Sequence, residues 1–209
     1  IQSFNDDELL FLGRRYSPKQ AEQIIAICKR TGFTNISIDM IFAIPGSNLN
    51  TWYQNLLRAV RNGVQHISAY SLTYETNTPL DKIKALGKIK IVSEELDRLM
   101  YERAIWLMGE EGFKHYEISN FAKPGYECKH NITYWKNEHY IGIGPAACGY
   151  VGQWRTENID DISQYIEAIE QDADTTREKT EINPIEKACQ TAVLGLRMMD
   201  GIDLAEYKE

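Results

Sequence analysis

Apolar positions in the first half of the chain switch between two periods, and each switch marks an element. From Pro18 the residues Ala21, Ile24, Ile25 and Cys28 recur at helical spacing. Ser17-Pro18-Lys19-Gln20 is a capping-box start with proline at the first helical position, and Gly32 supplies the left-handed turn that ends this helix near Arg30. A short helix capped by Asn5 and running to Leu12 comes before it. Residues 35–43 follow as a strand. Trp52, Leu56, Leu57 and Val60 predict a second amphipathic helix, and Ser93 caps a third whose Leu96, Leu99, Met100, Arg103 and Leu107 spacing continues to Gly112.

An internal echo sets the architecture. Residues 32–39, GFTNISID, are matched by residues 63–70, GVQHISAY, and more loosely by 112–115, GFKH. Each copy closes a helix and opens a strand, and the first two stand 31 residues apart, the period of one βαβ unit. Consecutive parallel strands wrapped by helices predict an α/β fold, a partial (β/α) barrel. Beyond Gly112 the pattern changes to short aromatic segments over 113–121, 133–135, 140–150 and 153–156, which predict an antiparallel or mixed α+β appendage. A helix over 160–171, a polar linker over 172–180 and a helix over 184–199 follow, the last with Ala188, Ala192, Leu196 and Met199 inward. Gly201-Ile202-Asp203-Leu204 opens another element. The expected domains are therefore 1–112, 113–180 and 181–209.

Composition narrows the function. At 209 residues and 43% apolar content the chain has material for one large domain or a domain and a half. Its four cysteines, Cys28, Cys128, Cys148 and Cys189, lie far apart, and no signal-like apolar run opens the chain, so a reduced, cytoplasmic protein is expected. No segment is long and apolar enough for a membrane span. A net charge of −7 argues against nucleic acid, since the one basic run, residues 82–90, is diluted by apolar residues.

Two places carry polar residues that folding does not require. Asp39 sits mid-strand in SIDMIF, a segment otherwise fit for burial, where an unpaired carboxylate costs several kcal/mol. Its partner is either Arg14 or Arg15 in a structural ion pair, or a ligand hydroxyl or ammonium, because barrel sites gather at the C-terminal strand ends near Gln2, Asp39 and Tyr70. The second place is HNITYW, residues 130–135, which packs an imidazole, an amide, a phenol and an indole into six positions. Core anchoring by Tyr134 and Trp135 is the plainer reading of the same residues.

The context FAKPGYECKHNITYW resembles the HNxxYW signature of the HemW family, haem chaperones related to oxygen-independent coproporphyrinogen III oxidases in the radical S-adenosylmethionine (SAM) superfamily. Gln2-Ser3-Phe4-Asn5 with Gly13-Arg14 resembles that family's GxQSFN…R segment, and SIDMIF resembles its SIDLIYGLPG strand. The resemblance implies the C-terminal portion of a radical SAM barrel with an appendage and the start of a small helical C-terminal domain. It implies SAM contacts by Gln2, Arg14, Asp39 and Tyr70, haem held by His130, and a haem-accepting partner protein. It also implies a four-iron four-sulfur cluster, whose CxxxCxxC ligands are absent from the chain; the chain is therefore expected to be a fragment with those ligands upstream of Ile1.

The family's Gly-Leu-Pro-Gly is here Ala43-Ile44-Pro45-Gly46, and Gly-Pro-Gly-Ala-His-Ser is Gly144-Pro145-Ala146-Ala147-Cys148-Gly149. Three function classes compete: a haem chaperone, with Arg155, Lys129 and Lys136 placed for the haem propionates; a coproporphyrinogen III oxidase; and a zinc module on Cys128, His130, His139 and Cys148. Tyr126, Tyr140, Tyr150 and Trp154 read as appendage interior, Cys28 and Cys189 as buried small hydrophobes, and His66 and His115 as structural.

Overall fold

The computed structural model describes residues 1–203 and divides into two compact units, Ile1–Glu127 and Cys128–Glu209. The first unit runs α1 (Asp6–Phe11), α2 (Pro18–Arg30), β1 (Ser37–Phe42), α3 (Leu49–Arg61), β2 (His66–Ser71), α4 (Pro79–Ala85), α5 (Glu94–Glu110), β3 (Lys114–Glu117) and β4 (Asn120–Ala122). The caps are those the sequence announces. The Asn5 side chain accepts from the Glu8 amide, and Ser17 and Gln20 form both arms of the capping box. Helix α4 was not anticipated, although Thr78 caps it and Pro79 opens it.

Strands β1 and β2 pair in parallel, Ser37 opposite His66 and Ile41 opposite Tyr70, with α3 between them in sequence. β2 then pairs antiparallel with β4, and β4 with β3, giving the order β1-β2-β4-β3. The third echo strand, β3, thus runs in the direction of the first two, with β4 between it and β2. Residues 113–121, which patterning assigned to the appendage, complete this sheet, and Phe113, Tyr116 and Phe121 are buried in the first unit.

One face of the sheet carries the core. Ile38, Met40 and Phe42 alternate inward along β1 and join Ile67, Ala69 and Phe121 against Trp52, Leu56 and Ala59 of α3 and Met100, Ala104, Leu107 and Met108 of α5. The Trp52 indole N–H donates to the Met100 carbonyl at 2.8 Å, so the largest buried ring also ties α3 to α5.

The second unit holds α6 (Lys129–Trp135), β5 (Cys148–Val151), β6 (Trp154–Asn158), α7 (Ile162–Glu170), β7 (Thr176–Glu181) and α8 (Pro184–Gly195), with β5, β6 and β7 in an antiparallel sheet. Several expectations change here. HNITYW is a helix rather than an extended aromatic segment; Cys128 at its N-cap gives no side-chain cap, so the usual start signal is missing. Much of the expected linker is β7, whose TREKTE sequence suits an edge strand, charged and exposed. Helix α8 stops at Gly195, leaving Leu196 and Met199 exposed rather than inward. Cys189 is exposed and Cys28 half-buried, and Tyr126 lies in the first unit, partly exposed. From Leu204 onward, the element expected after Gly201 lies outside the described residues. Among those residues no helix is long and apolar enough to cross a membrane.

Candidate functional site

The face of the first sheet opposite the core is polar. Because registered partners in a parallel pair share a face, Ser37, Asp39 and Ile41 of β1 lie beside His66, Ser68 and Tyr70 of β2. Asp39 is exposed, not buried as the apolar run suggested, since the helices cover only the other face of the strand. Neither Arg14 nor Arg15 pairs with it; among the described residues its carboxylate makes no hydrogen bond or ion pair. The burial penalty that demanded a partner therefore does not arise.

The segment before α1 brings the other candidates to this end of the sheet. The Ile41 amide donates to the Gln2 carbonyl at 2.9 Å, placing Gln2 beside the row that contains Ile41 and Tyr70. The Gln2 side-chain oxygen accepts from the Tyr16 hydroxyl at 2.8 Å, leaving its amide N–H groups available. Tyr16 had no sequence signal. Gln2 and Tyr70 thus border the polar face that carries Asp39, while Arg14 follows α1, its amide donating to the Leu9 carbonyl at 2.8 Å. The Asp39 carboxylate and the Arg14 guanidinium are both exposed.

His66 is buried on the same face at the start of β2. Its Nδ1 lies 2.8 Å from the Ser37 hydroxyl and its Nε2 2.8 Å from the Tyr116 hydroxyl. Both ring nitrogens are committed, which accords with the structural role expected for it. His115 likewise stacks on Phe121 with ring centroids 4.5 Å apart.

In the second unit His130 stands on the first turn of α6, exposed, and neither ring nitrogen has a hydrogen-bond partner among the described residues. The helical spacing from 130 to 134 puts Tyr134 beside it, ring centroids 4.7 Å apart and planes at 88°. Tyr134 in turn meets Tyr140 at 4.4 Å. Trp135 points elsewhere, with the Arg197 guanidinium 4.2 Å over its ring, and lines a cavity of about 760 Å³ with Lys136, Thr191, Met198 and Ile202.

Arg155 is not free for an anionic ligand. Its guanidinium donates to Tyr140 Oη at 3.3 Å, Asn137 Oδ1 at 2.8 Å and Gln190 Oε1 at 2.8 Å, and lies 4.6 Å over the buried Tyr150 ring. Lys129 and Lys136 remain exposed. Among the described residues no three His, Cys, Asp or Glu side chains gather as a metal site, so Cys128, His130, His139 and Cys148 do not form the zinc set.

No protein-family model matches the sequence. The haem chaperone HemW of Bacillus subtilis (strain 168) is 35% identical over 209 residues, 100% of this chain and 55% of that protein. HemW of Lactococcus lactis subsp. lactis (strain IL1403) is 32% identical over 100% of this chain and 54% of its own length. The chain is HemW-like over its whole length. It spans about half the length of the curated relatives it matches. A further relative of this HemW-like chain is the mitochondrial radical S-adenosyl methionine domain-containing protein 1 of Danio rerio, 32% identical over 97% of the chain and 47% of that protein. Among solved structures, coproporphyrinogen III oxidase (HemN) from Escherichia coli, a radical SAM enzyme, superposes with a TM-score of 0.80, covering 100% of this chain and 50% of that one. At 15% identity that likeness shows the fold alone, which matches that of half of the neighbouring chain.

Proposed function

We propose that this chain is the part of a radical SAM haem chaperone that completes the SAM site and carries haem for delivery to an acceptor protein. The observation that carries the reading is His130: an exposed imidazole in an HNxxYW helix, with no hydrogen bond to either ring nitrogen among the described residues, is ready to ligate haem iron. Haem is here the cargo. Lys129, next to His130, is the nearest cation in sequence for a propionate, because Arg155 is held inside the unit.

In the first unit Arg14 forks onto the SAM carboxylate, Asp39 accepts from the ribose hydroxyls or the ammonium, and Gln2 and Tyr70 border the same edge. A four-iron four-sulfur cluster, if present in the full-length protein, takes its cysteines from outside residues 1–209, since Cys28, Cys128, Cys148 and Cys189 lack the CxxxCxxC spacing. When bound, that cluster would anchor the amino and carboxylate groups of SAM.

The test is haem titration of the full-length protein. It should show a saturable Soret band at about one haem per chain, abolished or shifted by His130→Ala with the fold retained. The oxidase reading, which has only the fold likeness behind it, predicts instead anaerobic turnover of coproporphyrinogen III with SAM and a reductant, insensitive to His130→Ala. That pattern, with haem binding unchanged in the variant, would overturn the chaperone reading.

A further inference from the structure

We infer that Tyr134 is the porphyrin-stacking residue of the His130 site, an aromatic floor for the tetrapyrrole that selects the macrocycle independently of its iron. The inference rests on the reading of His130 as the iron ligand. Iron bound to an imidazole nitrogen lies in the imidazole plane, and the tetrapyrrole stands perpendicular to the iron–nitrogen axis, hence to that plane. The Tyr134 ring is already at 88° to the imidazole, with a centroid separation of 4.7 Å. Such a ring can lie parallel to the macrocycle beside the ligand. Contact then falls at ordinary carbon–carbon distances of about 3.5–4.0 Å.

The floor is braced from below. Tyr140 supports Tyr134 at 4.4 Å, its planes inclined by 68°. The Tyr140 hydroxyl accepts from Arg155, and Arg155 is itself held by Asn137 and Gln190. Asn137 is buried and reaches on to Thr191 of α8 at 3.0 Å. A ring fixed this way loses little freedom when a ligand covers it, which is how preorganisation raises affinity.

Two negative observations sharpen the assignment. Trp135, the other aromatic of the motif, turns about 100° around the helix from Tyr134 and packs under Arg197, so it anchors α6 rather than facing the ligand. The cavity at Trp135 and the smaller one of about 290 Å³ at Tyr140 and Cys148 are lined by neither His130 nor Tyr134. Haem on the exposed His130 therefore lies outside both of these cavities. Stacking supplies the contact that a pocket would otherwise give, and leaves the opposite porphyrin face accessible for transfer.

Binding of haem and of iron-free protoporphyrin IX to the full-length protein tests this, read by Soret absorbance and porphyrin fluorescence, with a urea midpoint as the fold control. Tyr134→Leu should weaken both ligands about tenfold, whereas Tyr134→Phe should hold both within about twofold. His130→Ala should abolish the haem spectrum and leave protoporphyrin binding near wild type. If Tyr134→Leu does not fold, Tyr134→Met serves as the second non-aromatic variant. Unchanged affinity in the non-aromatic variants, with His130→Ala still abolishing the haem band, would overturn the stacking role and spare the haem reading. A loss in Tyr134→Phe equal to that in Tyr134→Leu would overturn it too, by pointing to the phenol oxygen. Wild-type protein that binds no haem would sink the haem reading, and this inference with it.

Discussion

The Nε2 of His66 lies 2.8 Å from the hydroxyl of Tyr116, and its Nδ1 is as close to Ser37, so one imidazole spans β1, β2 and β3 on the polar face of the sheet. Burial holds the His66 pKa below its ordinary value, with the negative charge of Asp39 working weakly the other way.

The sign of the pH effect follows. A histidine with a depressed folded pKa binds fewer protons in the native state than in the unfolded chain, whose value is near 6.5. Its contribution is fully present above about pH 6.5 and is lost as pH falls below that toward the folded value. The unfolding free energy from urea titrations between pH 7.5 and 5 should fall with a slope of up to about 1.4 kcal/mol per pH unit from this group. His66→Gln, which keeps the polar contacts without titrating, should remove that component. An unchanged slope in the variant would assign the acid sensitivity elsewhere.

Ala43 and Ala146 both adopt left-handed backbone, with φ of 58° and 57°, and both stand where the resembled family motifs have glycine. An L-residue there costs about 1–2 kcal/mol. The two should respond differently to glycine. Ala146 is exposed, so Ala146→Gly loses no buried surface and should stabilise the chain by about 1 kcal/mol. Ala43 is buried at the C-terminal end of β1, and losing its methyl forfeits about 0.8 kcal/mol, so Ala43→Gly should come out near neutral. Chemical denaturation of both variants checks the contrast, and equal gains would refute it.

What was legible in the chain is what local chemistry encodes. The cap at Ser17, the proline at position 18 and the alternation along β1 are written in adjacent residues, and α2 and β1 form where those signals stand. The echo found the parallel pair because each copy carries its own helix stop and strand start. Non-local relations were not legible. That β4 would lie between β2 and β3 depends on long-range pairing, as does the recruitment of the polar TREKTE segment as an edge strand on β6. Asp39 shows the same limit within one strand: SIDMIF reads as a buried run, but which faces of the strand are covered is decided by helices elsewhere in the chain.

The site was legible unevenly for the same reason. Motif resemblance named His130, while the bracing of Tyr140 by Arg155 spans 15 residues and left no local mark. Arg155 looked like a free cation because its partners Tyr140, Asn137 and Gln190 lie 15 to 35 residues away in sequence.

The start of the first unit is held by a buried polar knot. Glu8 accepts from Ser3 Oγ at 2.5 Å and from Asn55 Nδ2 at 2.7 Å, and the Asn55 carbonyl oxygen accepts from the Phe4 amide at 3.0 Å. Asn55→Ala removes two of these bonds, leaving the Phe4 N–H unpaired and the Glu8 carboxylate with the Ser3 hydroxyl alone. At about 1–3 kcal/mol for the unsatisfied N–H and about 1 kcal/mol for the bond lost at Glu8, the variant should lose about 2–4 kcal/mol in urea unfolding. A loss under 1 kcal/mol would show that water reaches the knot.

Asp39 separates the ligand reading from the structural one by a pair of measurements. An acid in a structural ion pair would destabilise the fold when removed, but Asp39 is exposed and makes no ion pair or hydrogen bond among the described residues. Asp39→Ala should therefore leave the urea midpoint of the full-length protein within about 0.5 kcal/mol of wild type, the range of a neutral surface change. Its cost should appear in SAM binding instead, because the variant loses the acceptor for the ribose hydroxyls or the ammonium while Arg14 and Gln2 stay in place. At least a tenfold weaker Kd by calorimetry, about 1.4 kcal/mol, is the expected size for one charge-assisted contact. Arg14→Lys should also weaken SAM, since an ammonium cannot reproduce the two-pronged contact of a guanidinium with a carboxylate. Unaltered SAM affinity in Asp39→Ala would remove Asp39 from the site, and a large loss of stability in the same variant would return it to the fold.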